Sequence, residues 1–405
     1  MGYKETIVGI IPVDWEPSSI GELFQFQGGS QPVRDTFIFS EKKGYVRLLQ
    51  IRDYKSDKYA SYIPINLARK FCTKDDIMIG RYGPPIFQIL KGMDGAYNVA
   101  LIKALPNTKL NKTYAYYYLI QDKLYQFIEK LSQRSSGQTG VDLHELKGYP
   151  LPLPPKPEQT AIANVLSDTD ALIQSLEKLI AKKRAIKQGA MQKLLTGKRR
   201  IPGFEGKWEE KNISEIALVC RGASPRPIDN PIWFDESSKI GWVRISDVTS
   251  SIKFLTTTTQ KLSKKGIDKS RFVPAGSLLM SICATVGRPI FNHIDVCIHD
   301  GFVLFQKVQC NIEFLYYYLA FIEEDWAKHG QTGSQMNLNT TLINSTALQI
   351  PPTTEEQTAI ATILSDMDSE LTALESKLSK YRAIKQGMMQ ELLTGKIRLN
   401  HDSKD

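Results

Sequence analysis

The sequence predicts an α+β fold built twice in tandem, each globular part followed by a long helix, with the two helices pairing as a coiled coil. Three observations predict it. One long segment occurs twice almost unchanged, its apolar residues keep a 3.5-residue period, and short strand-like runs alternate with helical stretches and Gly/Pro turns ahead of each copy.

The chain has 405 residues, 42% of them hydrophobic, enough for two or three globular units. Glu158 to Lys198 aligns without a gap to Glu356 to Lys396 at a constant offset of 198, with 26 of 41 positions identical. EQTAIA, RAIKQG and LLTGK each occur once per copy. The preceding segments match more loosely. Trp15, Glu16, Ile20 and Glu22 correspond to Trp208, Glu209, Ile213 and Glu215, Val46-Arg47 to Val243-Arg244, and the Tyr116–Leu119 string to Tyr316–Leu319. The expected division is a globular domain at 1–157, a helical spacer at 158–200, a second domain at 201–352, a second spacer at 353–398, and a tail at 399–405.

Each spacer reads as one rod. In the first, Ile162, Leu166, Thr169, Ile173, Leu176 and Ile180 recur at alternating spacings of four and three. Ile360, Leu364, Met367, Leu371, Leu374 and Leu378 repeat the pattern in the second. This is the a/d seam of a coiled coil. Pro157 and the Thr353/Glu356 capping box mark the starts, and Gly197 and Gly395 mark the ends. About 38 residues at 1.5 Å each give roughly 57 Å, provided Gly189 and Gly387 do not interrupt them. Pairing of the twins is the preferred reading; the other is that each helix packs along its own globular part.

Within the globular parts, Tyr45–Ile51, Ile77–Arg81, Gly241–Val248 and Ser277–Ile282 read as strands, and Thr113–Ser132 and Ile312–Lys328 as helices. Tyr114, Tyr116–Tyr118 and their counterparts are able to stack on unpaired bases, but consecutive aromatics on a helix point in different directions, so packing is the expected role.

Several chemistries find no motif. The five cysteines form no C-x-x-C and the five histidines no H-x-x-x-H, so neither a zinc site nor a disulfide framework is signalled. No cofactor turn of an adenine methylase is present: Gly83-Pro84-Pro85-Ile86, Leu153-Pro154-Pro155-Lys156 and Ile350-Pro351-Pro352-Thr353 lack its polar first and aromatic last residue. No G-x-x-x-x-G-K-[ST] loop occurs for ATP, and the tripeptides Glu145-Leu146-Lys147 and Glu375-Ser376-Lys377 match only half of a nuclease signature. The chain reads as non-catalytic. No uncharged apolar run of eighteen residues occurs, and Lys4, Glu5 and Asp14 interrupt any leader peptide, which points to the cytosol.

The formal charge is +9. Residues 1–157 hold 21 basic against 15 acidic side chains and 158–200 hold 9 against 4, whereas 201–352 are balanced at 15 each. This admits a nucleic-acid partner, met through local patches in the second domain. The run Lys178, Lys182, Lys183, Arg184, Lys187, Lys193, Lys198, Arg199 and Arg200 suits phosphates or an acidic protein partner, but a solvated helix end whose cations face the negative end of the macrodipole is the preferred reading. The candidate DNA-contacting residues are Arg34, Arg47, Arg81, Arg134, Gln138, Arg221, Arg226, Arg244, Arg271, Arg288 and Gln331, because arginine reads guanine through two hydrogen bonds and glutamine reads adenine. Residues shared by both copies (Arg47 with Arg244, Gly29 with Gly222, the two GQTG loops) are assigned common work. Unmatched ones such as Arg34, Arg81, Arg271 and Arg288 are free to differ in the bases they read.

The P-P-x-x-x-E-Q-x-x-I-A string at Pro351–Ala361, one residue tighter at Pro154–Ala163, the doubled R-A-I-K-Q-G-x-M-Q-x-L-L-T-G-K, and the W-x-x-x-x-I-x-E-[LI] strings at Trp15 and Trp208 resemble the specificity subunits of type I restriction-modification systems. The resemblance covers essentially the whole chain. It implies two target-recognition domains, inverted by a pseudo-twofold axis, on an antiparallel coiled coil that sets their spacing and docks two modification subunits. It further implies no catalytic residue, metal or cofactor in this chain; S-adenosylmethionine, ATP and magnesium belong to modification and restriction partners, and double-stranded DNA is the ligand. The competing readings are a coiled-coil scaffold and a stand-alone DNA-binding or nuclease protein.

Overall fold

A computed structural model describes residues 2–132, 140–329 and 338–399. The chain forms two compact units, one of residues 1–177 with 377–405 and the other of residues 178–376. No described helix is long and apolar enough to cross a membrane.

The first unit holds two four-stranded sheets. One is antiparallel, in the order Phe24–Gly28, Leu101–Pro106, Ile77–Gly80, Gln88–Lys91. The other runs Tyr62–Pro64, Tyr45–Leu49, Gly95–Tyr97, Phe71–Cys72, and its central pair is parallel. The chain enters through Glu16–Ser19, which pairs with Pro150–Leu153 just before the first long helix. A Ser19/Glu22 capping box then starts the short helix Ile20–Leu23.

The second unit repeats this plan. Leu218–Arg221, Phe302–Gln306, Leu278–Ser281 and Pro289–Asn292 form the corresponding sheet, extended by Phe254–Leu255. Gln260–Lys261, Gly241–Val243, Val296–Ile298 and Arg271–Val273 form the other. The expected strand over 241–248 stops at Val243, because the Asp247 carboxylate accepts from the Arg244 amide and turns the chain into the helix Ile245–Ser250. The expected helices split in two, at Lys112–Leu119 and Asp122–Ser132 and at Ile312–Phe321 and Glu323–His329. Tyr114, Tyr117, Tyr118 and Tyr316–Tyr318 are buried and Tyr116 is half-buried, so the tyrosine clusters are core. Their hydroxyls find partners: Tyr118 donates to the Pro150 carbonyl and Tyr114 to that of Pro152.

The long helices span Lys156–Leu194 and Thr354–Leu392, uninterrupted at Gly189 and Gly387. Both end at a glycine of positive φ, Gly197 and Gly395. In each unit the opening turns of one long helix and the closing turns of the other run antiparallel. In the first unit Asp170 meets Lys385 and Glu177 meets Arg382, and in the second Asp368 meets Lys187 and Glu375 meets Arg184.

The apolar seam is divided differently from the expectation. Ile162 and Leu166 lie in the first domain's core with Tyr114, Tyr117, Leu392 and Leu393, and Ile360 and Leu364 lie in the second domain's core with Phe314, Tyr317, Leu194 and Leu195. These four are domain-packing residues as much as pairing ones. A helix emerging from a small domain must cover that domain's exposed apolar face before anything else. Ile173, Leu176, Ile180 and Leu371 are buried further along, while Met367, Leu374 and Leu378 are half-buried.

Candidate nucleic-acid interface

Both domains contain the same joint. In the first, the Gly29 amide donates to the Leu101 carbonyl (3.0 Å) and that of Ser30 to Tyr97 (3.1 Å). In the second, the Gly222 amide donates to Phe302 (2.9 Å) and that of Ala223 to Ile298 (3.1 Å). Only glycine fits the crossing. A Cβ on Gly29 would lie 1.9 Å from the Asn98 carbonyl oxygen, and one on Gly222 2.0 Å from that of His299. The crossed turns are also alike: the Ala100 amide donates to Asn98 Oδ1 (3.1 Å) and the Gly301 amide to His299 Nδ1 (2.9 Å).

In the second domain this joint gathers charge. Arg221 Nε donates to the Asp300 carbonyl (2.8 Å), Ser224 Oγ to Asp300 Oδ1 (2.6 Å), and Arg226 pairs with Asp300 Oδ2 (3.1 Å). Arg271 Nε donates to the Arg221 carbonyl. The Ser224 hydroxyl, helped by Arg226, holds the Asp300 carboxyl below its ordinary range against the effect of burial. Burial pushes the His299 imidazole down, outweighing Asp300. The ring is packed against Trp242 and Phe302, and is therefore neutral at neutral pH. A 290 Å³ cavity lined by Arg221, Cys283, His299 and Asp300 opens beside the cluster. The arrangement offers guanidinium donors and a carboxylate acceptor to a polar edge.

The structure brings Arg221, Arg226 and Arg271 together, and Arg244 is close enough to act on His299 electrostatically. Arg288 stands apart, donating to the Ser251 carbonyl (3.0 Å). Arg34 is exposed on a short 3-10 turn, and Arg81 lies over the Tyr82 ring. Arg134, Gln138, Gln331 and, apart from Gly140, both GQTG loops lie outside the described residues.

Arg47 is ion-paired. It is engaged with Asp57 (2.6 Å) and Asp53 (3.8 Å), with a side chain 19% exposed. It is also not the counterpart of Arg244. Leu49 pairs with Tyr97 as Val243 pairs with Ile298, so Gln50 occupies the Arg244 position, and the Gln50 amide donates to Asp53 as that of Arg244 does to Asp247. The Val46-Arg47 match to Val243-Arg244 lies three residues off this structural register. Arg244 itself donates to Gln260 (2.6 Å) and lies over Trp242.

The basic run at the end of the first long helix is largely occupied as well. Lys183, Arg184, Lys187 and Arg200 pair with Glu370, Glu375, Asp368 and Glu356.

The repeated E-Q motif is explained by contacts that sequence reasoning missed. Glu158, fully buried, accepts from Arg398 and from Trp15 Nε1 (2.9 Å). Glu356, equally buried, accepts from Arg200. Gln159 and Gln357 each accept the amide of an asparagine, Asn111 or Asn311 (2.7 Å in both), that caps the tyrosine-bearing helix. Tyr117 donates to Asp170 and Tyr317 to Asp368, and each carboxylate also meets the lysine of the opposing helix, Lys385 or Lys187. The available signal was identity at the 198 offset outside the apolar seam: Asp170/Asp368, Lys187/Lys385 and Arg200/Arg398. Among the described residues no group of three or more His, Cys, Asp or Glu is placed to hold a metal ion.

A family described as the type I restriction modification DNA specificity domain matches the chain twice, at residues 12–187 and 205–381. The type I restriction enzyme MjaVIII specificity subunit of Methanocaldococcus jannaschii is 25% identical over a 427-residue alignment covering 98% of this chain and 96% of the relative. The fold is similar to that of the S subunit of a type I restriction-modification system from M. genitalium, with a TM-score of 0.61 and 17% identity over 97% of this chain and 99% of that one. A structure described in connection with complex assembly and conformational transition of the type I R-M system matches with a TM-score of 0.59 and 15% identity, over 96% and 99%.

Proposed function

Because the chain belongs to the type I restriction modification DNA specificity domain family, we propose that it is the DNA-recognition subunit of a type I restriction-modification assembly, each globular domain reading one half of a split duplex site. The observation that carries this reading is the shared joint: two domains with the same backbone crossing carry different exposed side chains, as two readers of different sequences require.

In this reading the chain is not an enzyme. Two modification subunits bring S-adenosylmethionine and methylate adenine, and restriction subunits bring ATP- and magnesium-dependent translocation and cleavage. The antiparallel helix segments set the half-site spacing and dock the modification subunits, and the assembly works in the cytoplasm. Basic charge concentrated in residues 1–200 favours a duplex ligand.

The test is reconstitution. The purified chain alone neither methylates nor cuts DNA, whereas its mixture with cognate modification subunits and S-adenosylmethionine methylates adenine within one bipartite sequence. Turnover by the lone chain would support the stand-alone enzyme instead, and absence of duplex binding by the mixture would support the scaffold.

A further inference from the structure

The duplicated joint permits a comparison that the rest of the surface does not. Counting from the glycine of each crossing, Gly29-Ser30-Gln31-Pro32-Val33 in the first domain corresponds to Gly222-Ala223-Ser224-Pro225-Arg226 in the second: the matched amide contacts of the first two residues set the register, and a proline stands fourth in both. Across each joint, Asn98-Val99 corresponds to His299-Asp300, since Asn98 and His299 accept from the backbone in the same way. Two positions therefore stand at equivalent outward places in both copies.

Their chemistry changes together. In the first domain both are apolar: Val33 is 73% exposed and Val99 46%. In the second both are charged and paired, Arg226 with Asp300 at 3.1 Å, on side chains 71% and 42% exposed. Burial does not explain the valines, because the scaffold leaves these positions in solvent in both copies. Stability does not explain the ion pair, because exposed pairs contribute little to it. Two changes of character at matched positions on a retained backbone are what a reader of two different sequences needs.

Resting on the proposed function, we infer that the residue pairs Val33/Val99 and Arg226/Asp300 are specificity-determining positions, one for each half-site. The valines pack on a thymine methyl group in the first half-site. In the second half-site Arg226 donates to guanine O6 and N7, and Asp300 orients that guanidinium and accepts from a cytosine N4 amino group. The Ser224 hydroxyl donates to Asp300 and holds it in place without competing for its charge.

The experiment is methylation mapping with the full chain in complex with its modification subunits, for the wild type, R226V/D300V and the milder D300N, each checked for native helix content by circular dichroism. D300N keeps the size of the side chain, so a folding defect in the double variant does not remove the test. The expected result is a roughly ten- to hundredfold loss of discrimination at one guanine–cytosine position of one half-site, with the other half-site and the spacing unchanged. The reciprocal V33R/V99D exchange removes a thymine preference from the other half only. Unchanged base preference in folded D300N and V33R/V99D complexes overturns the assignment while leaving the proposed function intact. A wild-type complex that recognises no bipartite sequence overturns the proposed function, and this assignment with it.

Discussion

Arg398 lays its guanidinium along the carboxylate of Glu158, with Nε 2.6 Å from Oε1 and a terminal nitrogen 2.7 Å from Oε2. The pair ties the residue just past the second long helix to the first turn of the first. Arg200 and Glu356, each 198 residues from its counterpart, repeat the arrangement in the other unit. Each domain is thus closed by the start of one long helix and the end of the other.

Removing one partner of such a pair strands a charge. Glu158 is fully buried and Arg398 is 17% exposed, so R398A and E158Q are expected to lower stability by about 3–5 kcal/mol. The double variant R398A/E158Q costs less than the sum of the two. Urea unfolding of the singles and the double decides this; additive losses would show that the two groups do not act as a unit.

The two matching tryptophans, Trp15 and Trp208, are unequal. Trp15 Nε1 donates to Glu158, whereas the buried Trp208 Nε1 finds no partner among the described residues. W15F therefore loses a hydrogen bond to a charged group, about 1.5–3 kcal/mol, that W208F does not. Equal losses in chemical denaturation would contradict this.

Asp76 makes the first domain acid-sensitive. Burial raises its carboxyl, but Lys103 (2.8 Å), the Thr73 amide and Lys112 together hold it at about 2, below the ordinary 3.8. A depressed folded value means that the contribution is complete above the unfolded value and is lost as pH falls through about 4 to 2. It amounts to about 2 kcal/mol. The stability gap between wild type and D76N is expected to narrow over that window; a gap constant from pH 7 to pH 2 would show that the carboxylate is not the source.

The joint glycines have no tolerance for a side chain. G29A and G222A place a methyl group inside a backbone carbonyl and are expected to unfold or expand the local domain, at several kcal/mol. G28A, with no atom within 4 Å of the added carbon, is the matched control and stays near wild type. Thermal melts of the three variants check this.

Much of the architecture was legible in the chain because duplication writes it twice. The 198-residue offset, the period of four and three, the capping residues and the terminal glycines define two rods from local rules alone, and both rods run 39 residues. Tertiary structure decided where each seam residue goes. Ile162 and Leu166 carry the same period as Ile173 and Leu176, but the tyrosine-bearing helix covers the first two, and periodicity does not say what an apolar face meets.

It also decided which cations are free. Lys187 and Arg200 read as a basic run until carboxylates more than 150 residues away occupy them, and Arg47 read as the twin of Arg244 until strand pairing moved the register to Gln50. Charge and local spacing are properties of the chain. Which charge faces solvent depends on contacts between distant segments, and those exist only once the backbone has closed around its glycine crossings.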